Sequence, residues 1–429
     1  VSAYQFYGDG SNLTGAGFSA DADVNLFATN TCSGCNLDGS SGCFNIFLGA
    51  CAGKAVTSGA GNFFAGYCAG ASIDTESDHV FIGRLAGASK SSGSKDIIIG
   101  CEAGRSSSGN NNVLLGTTAG CSVTGNANVF LGLCAGRNVT SSTGSIAIGF
   151  DAMMGDSSAP VTGNYNIAFG KNAGKTITSG IENIAIGCKA QGTGTVTGQQ
   201  NITIGKNAGT DITSGSYNLL FGRNAAQGLT TGSSNIAMGT GSLGGDTAST
   251  VTGADNIMIG ELTGVAATSA ACNIVMGSRA GRCISEGQYN IFLGNYTGAQ
   301  TTTGDMNIMI GRSVCVSSAT ADKELAIGCG TNRWICGDSS YNVCLATNAI
   351  KALASGTLCA TCFLQDGSPV GFSQDSQANL YAGTGAGAAS DADTCFNIAL
   401  GCNTGCSMNS GDHNILLGHL AGRQVSSGE

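Results

Sequence analysis

The sequence predicts an all-β fold: a parallel β-solenoid or β-roll of about 17-residue coils, assembled as a homotrimeric rod. Three observations predict it. One short run of residues recurs along the chain: Asn, three apolar residues, Gly, two variable residues, Ala-Gly, then a Thr/Ser/Gly stretch that returns to Asn. Its period, 17 residues from Asn45 to Asn62, is too short for the helical-hairpin repeats of about 33 residues or more. Glycine supplies 70 of 429 residues and proline 2. That density costs a helix about 1 kcal/mol per glycine but suits closely spaced turns.

Composition narrows the class further. An apolar content of 42% excludes a flexible Gly-rich linker, and the scarcity of proline excludes collagen. A net charge of -9 and a pI near 4.7 leave no Lys/Arg stripe to neutralise phosphates, so nucleic acid is not an expected partner. No apolar run approaches the length of a membrane span, so membrane insertion is not expected either.

Within each coil the first position is Asn at Asn45, Asn62, Asn112, Asn128, Asn166, Asn183, Asn201, Asn218 and Asn235, and again from Asn256 to Asn307 and at Asn397 and Asn414. His79, Asp96, Ser145 and Glu324 fill the same slot. Identical amides one coil apart are expected to hydrogen-bond along the axis as an Asn ladder; a simple turn role is the alternative. Positions two to four read as a short strand that pairs in parallel with its neighbours, about 4.8 Å away. The second and fourth, such as Ile46 and Leu48, are apolar in every unit and are expected to point into the coil. Side chains alternate across a strand, so the third is expected to face out. It too is apolar almost throughout, with Thr203 the exception. A strand apolar on both faces needs a second covering layer, and a 17-residue coil has too little chain to supply one. The sequence therefore predicts that Phe47, Phe64, Phe81, Ile98, Leu114, Phe130, Met258, Phe292 and Met309 lie at an interface between copies of the chain, with threefold symmetry the simplest closed arrangement.

Four segments follow: a joining or capping segment at 1–24, a first solenoid array at 25–330, an irregular junction at 331–370 and a second array at 371–429. The segment from Gly17 to Ala28 recurs from Gly371 to Ala382 with the same Gly-Phe-Ser opening and the same Asn-Leu near its end, so both arrays begin alike. The last unit, Asn414 to Gly422, is followed by a half-coil that leads toward a further strand. Either a longer chain or head-to-tail contact with Val1 to Thr14 of another copy, giving a filament, is the expectation there.

Candidate chemistry is sparse. Cys32 with Cys35 and Cys359 with Cys362 have the spacing of a redox pair or half a zinc site. Cys51 and Cys68 occupy the same slot of successive coils, about 4.8 Å apart by strand spacing, which makes them a candidate disulfide. Asp21 with Asp23, or Asp391 with Asp393, are carboxylate pairs of the kind a glycan-cleaving spike would use, and their place before a strand favours capping. The three histidines, His79, His413 and His419, have no catalytic context. No cofactor, metal or catalytic residue is expected, and the reading is a scaffold, not an enzyme.

Two resemblances sharpen it. The strand Asn183-Ile-Ala-Ile-Gly187, with Asn166 to Gly170 close to it, resembles the strand motif in head domains of trimeric autotransporter adhesins, which form trimeric parallel β-rolls. The opening Phe6-Tyr7-Gly8-Asp9-Gly10-Ser11-Asn12-Leu13-Thr14-Gly15 is similar to a motif of tail-fibre-like structural proteins from marine cyanobacterial phages, which also carry Asn-x-Ala-Ile-Gly arrays. The resemblance implies a virion fibre whose surface meets a host glycan or protein receptor. A bacterial cell-surface adhesin or extracellular filament is the alternative, and a glycan-cleaving tailspike a minor one. The expected location is the virion, the cell surface or the extracellular space.

Overall fold

A computed structural model describes residues 18–20, 23, 25–28, 32–37, 41–244 and 250–345 of the first of two compact units, Val1–Ala349. In the second unit, Ile350–Glu429, it describes 364–365, 368–369, 373–374, 379–383, 385–388, 396–407 and 411–423. Val1 to Thr14, Asp21, Cys359, Cys362, Asp391 and Asp393 lie outside the described residues. Among those described there is no helix, and the fold is an all-β parallel solenoid.

The chain enters through β1 (Phe18–Ala20), which pairs antiparallel with β2 (Leu26–Ala28). From β2 each strand pairs in parallel with the next, one coil later, until β19 (Leu325–Cys329). Register is maintained: Ile46 opposes Phe63, Ile167 opposes Ile184, and Ile291 opposes Ile308. The stack then closes with two antiparallel strands, β20 (Asn332–Gly337) and β21 (Val343–Leu345). In the second unit β22 (Leu364–Gln365) pairs antiparallel with β23 (Ser368–Pro369), and β24 (Ser373–Gln374) with β25 (Leu380–Ala382). Two parallel strands follow, β26 (Ile398–Leu400) and β27 (Ile415–Leu417). The duplicated segment thus forms the same device twice, an antiparallel strand laid against the first strand of a parallel stack.

The interior of the coil is the reverse of the sequence expectation. Phe47, Phe64, Phe81, Ile98, Leu114, Phe130, Met258, Phe292 and Met309 are fully buried inside the chain's own coils, so they form its core and not a subunit interface. Phe47, Phe64 and Phe81 stack on one another with ring centroids 5.3 and 4.9 Å apart. Room for these rings comes from the Ala-Gly pair at the eighth and ninth positions. A Cβ on Gly53 would stand 2.6 Å from the ring of Phe47, and Ala52 is itself buried. Burying each such side chain contributes about 1.5–3 kcal/mol. Thr203, the polar exception, is buried with its hydroxyl donating to the Ile184 carbonyl at 3.1 Å.

The same alternation turns the Asn inward. In the regular coils, as at Asn218, the backbone N–H and the Nδ2 amide both donate to Oδ1 of the preceding coil's Asn201, at 3.1 and 2.9 Å. The second Nδ2 proton goes to the Gly232 carbonyl at 3.0 Å. Buried side-chain amides are costly unless every group is partnered, and here the repeat itself supplies the partners. Asn45, Asn62, Asn112, Asn128, Asn166, Asn183, Asn201 and Asn235 are buried in the same column. Asn25 and Asn379 join it as well: they accept from Asn45 and Asn397, which the sequence reading did not anticipate.

Candidate functional surface

With the third position inside, the second and fourth face outward. From Ile46 and Leu48 to Leu325 and Ile327 none of these residues is polar. Nine of them keep 36–53% of their surface exposed, including Ile97, Phe169, Ile202, Phe221 and Ile274. Together they present on the order of 700 Å² of apolar surface, above the few hundred Å² a soluble monomer keeps in one patch. Aromatic residues edge the stripe. Tyr165, Tyr217 and Tyr289, each immediately before the Asn, are 55–59% exposed, and Tyr67, after the Gly, is 57% exposed. Within the parallel stack every exposed large apolar side chain among the described residues lies in a strand or within two residues of one. The rest of each coil's surface is carried by the variable positions after the Gly, among them the exposed Lys171, Lys206, Arg223 and Glu261, and by the Thr/Ser/Gly stretch. One face of the solenoid is therefore apolar from end to end.

A second cluster lies inside. In two coils the ladder residue is His79 or Asp96. Nδ1 of His79 accepts the Asp96 backbone N–H at 3.2 Å, and Oδ1 of Asp96 accepts the Asn112 N–H at 2.7 Å. Each substitute keeps the acceptor the ladder needs; Asp96 loses the amide donors. Lys90 replaces them. It occupies a twelfth position, where Val56 and Ile73 stand in the preceding coils, and its Nζ lies 2.9 Å from Oδ2 of Asp96 and 2.7 Å from the Gly109 carbonyl. All three residues are fully buried. Burial drives Lys90 down and Asp96 up from their ordinary pKa values, while each one's charge opposes the other's shift. Burial, then the Lys90 charge, lowers His79 to about 3. With no path to solvent the cluster has a structural use, restoring the ladder where Asn is absent.

A pH dependence follows. Because the folded-state pKa of His79 lies below the unfolded 6.5, its contribution is complete above that pH and is lost as pH falls toward 3. The loss is about 1.4 kcal/mol for each pH unit in the window. His79→Asn is expected to remove this slope in denaturant titrations between those limits. Asp96, whose raised pKa acts with the opposite sign, is present in both proteins, so the comparison reads the difference that the residue at position 79 makes. An unchanged slope would mean that His79 is not held neutral.

The remaining candidates stay apart. Cys51 and Cys68 are free thiols in a turn column. Asp23 sits in the turn before β2, where its carbonyl accepts from the Phe44 N–H. His413 stacks on Phe396, with centroids 5.2 Å apart, in the second unit. Among the described residues no group of three or more His, Cys, Asp or Glu is placed to hold a metal ion. No family model, curated protein or solved structure matches the chain.

Proposed function

We propose that the chain is a structural subunit of a fibre, a rigid rod that associates with copies of itself through its apolar strand face and serves in a phage tail fibre or similar virion appendage. The outward stripe carries this reading. An apolar face with a regular axial repeat needs a cover of the same length and spacing, and another copy of the chain has both. A closed rotational assembly, here a threefold one, shields every copy's stripe equally. The Asn ladder supports the mechanical side, since each coil is tied to the next through its interior as well as through its strand. The remaining surface would face the host glycan or protein receptor, and no catalytic step is assigned to the chain.

Sedimentation equilibrium is the test. Wild type is expected at three times the 42.4 kDa chain mass, and Ile202→Glu combined with Ile274→Glu at one chain mass with unchanged circular dichroism. A wild-type protein that stays a soluble monomer would sink the proposal. Neighbouring genes separate the settings: tail and baseplate genes favour the virion, whereas secretion genes favour a cell-surface adhesin or filament.

A further inference from the structure

Among the described residues most cysteines stand in turn columns of the coils, and two pairs are set apart from these, at opposite ends of the first parallel stack. Cys32 and Cys35 belong to its first coil, with Sγ atoms 3.0 Å apart and both residues exposed. Cys336 and Cys344 are direct partners across the antiparallel pair β20 and β21 that closes the other end. Opposed residues of an antiparallel pair have Cα atoms about 4.5–5.5 Å apart and side chains on the same side of the sheet. This falls within the roughly 4.4–6.8 Å of disulfides. Cys51 and Cys68 differ in kind. Stacked in one column with parallel Cα–Cβ vectors and with neighbouring coils on both sides, they are held about one strand spacing, roughly 4.8 Å, apart, without the freedom to close that an end of the stack gives.

We propose that Cys32 with Cys35, and Cys336 with Cys344, are disulfide-forming sites that clasp the two ends of the parallel stack under oxidising conditions. The oxidant is a small-molecule disulfide such as oxidised glutathione. One thiolate attacks a sulfur of that disulfide, forming a mixed disulfide and releasing one glutathione thiolate. The second cysteine's thiolate attacks the protein sulfur of the mixed disulfide, forming the new bond and releasing the second glutathione. Each pair gives up two electrons and two protons, and one glutathione disulfide becomes two thiols. Position gives the bonds their effect. In a solenoid each coil rests on its neighbours, and the end coils, supported on one side, open first. A covalent bond there acts where fraying begins. Hydrogen bonding between the two thiols, then burial, pushes the Cys35 thiol up, in keeping with a pair that shares a proton while reduced.

The full-length protein, equilibrated across oxidised-to-reduced glutathione ratios, alkylated and peptide-mapped, tests this directly. The expected result is both bridges, each two hydrogens lighter than its dithiol, at a ratio at least tenfold more reducing than oxidises Cys51 with Cys68. Hydrogen exchange at Leu26–Ala28 and Asn332–Gly337 should slow at least tenfold in the oxidised protein relative to the reduced one, with Ile184–Ile186 unchanged. Cys32→Ser and Cys336→Ser should each abolish the slowing at their own end alone. Full alkylation of either pair at the oxidising extreme, earlier bridging of Cys51 with Cys68, or exchange at the ends indifferent to oxidation would each overturn it.

Discussion

Gly222→Ala is expected to destabilise the solenoid by about 3–5 kcal/mol, whereas Gly209→Ala in the preceding coil costs about 1 kcal/mol. Both glycines have positive φ, but the two conformations differ. Gly222, at the fifth position, has φ +139°, a region that L side chains rarely adopt, and a Cβ there would stand 2.6 Å from the Gly239 carbonyl oxygen and 2.7 Å from its carbon. Neither neighbour is a movable side chain; both are backbone of the next coil. The substitution therefore wedges two coils apart as well as straining its own. Gly209, at the ninth position, has φ +54°, and that slot already holds Ala226 at φ 48° and Leu243 at φ 53° in other coils. Its Cβ would press on the ends of Ile212 and Leu220, which can shift. Denaturant titration gives the totals. Hydrogen exchange should place the Gly222→Ala damage in the coils of β13 (Leu219–Phe221) and β14 (Ile236–Met238), as expected when each repeat contacts only its neighbours. Equal costs for the two substitutions would refute the distinction between the columns.

Asn218→Asp is expected to cost about 3–5 kcal/mol, and Ile212→Lys added to it to recover at least half of that loss. Asp keeps the oxygen that accepts from Asn235 N at 2.9 Å but loses the donations to Asn201 Oδ1 and Gly232 O. A carboxylate is then left facing acceptors in a dry interior. Ile212 occupies the twelfth position of the preceding coil, the place from which Lys90 reaches Asp96, and the Gly232 carbonyl corresponds to that of Gly109. The lysine alone should be damaging, because it buries an unpaired ammonium. A double-mutant cycle reads the coupling: purely additive losses would show that the natural Lys90 with Asp96 arrangement does not transfer and depends on His79 instead.

The repeat was legible because it is a local signal renewed in nearly every coil. Asn, three apolar residues and Gly specify a short strand and a turn, and their recurrence at 16 to 18 residues in most steps specifies stacking in register. The sign of the strand was harder to read. Both faces were apolar, so alternation fixed which positions share a face but not which face is inside. Two residue signals carried the answer. A ladder Asn satisfied by its neighbours belongs in the interior, and the third position has its parity. Ala52 and Gly53 are small where Phe47 is large, as a thin coil requires of groups that meet across it.

The sequence by itself determined the all-β class, the parallel stack, its period and the column of Asn side chains, since each follows from hydrogen-bonding and alternation rules acting within one coil and between identical neighbours. Tertiary structure alone decided that Lys90 reaches Asp96 inside the core and that Cys336 stands opposite Cys344. These depend on how the coil closes on itself and where the chain reverses at the end of the stack. Closure brings together residues whose spacing in sequence belongs to no repeat, so periodicity carries no trace of the contact.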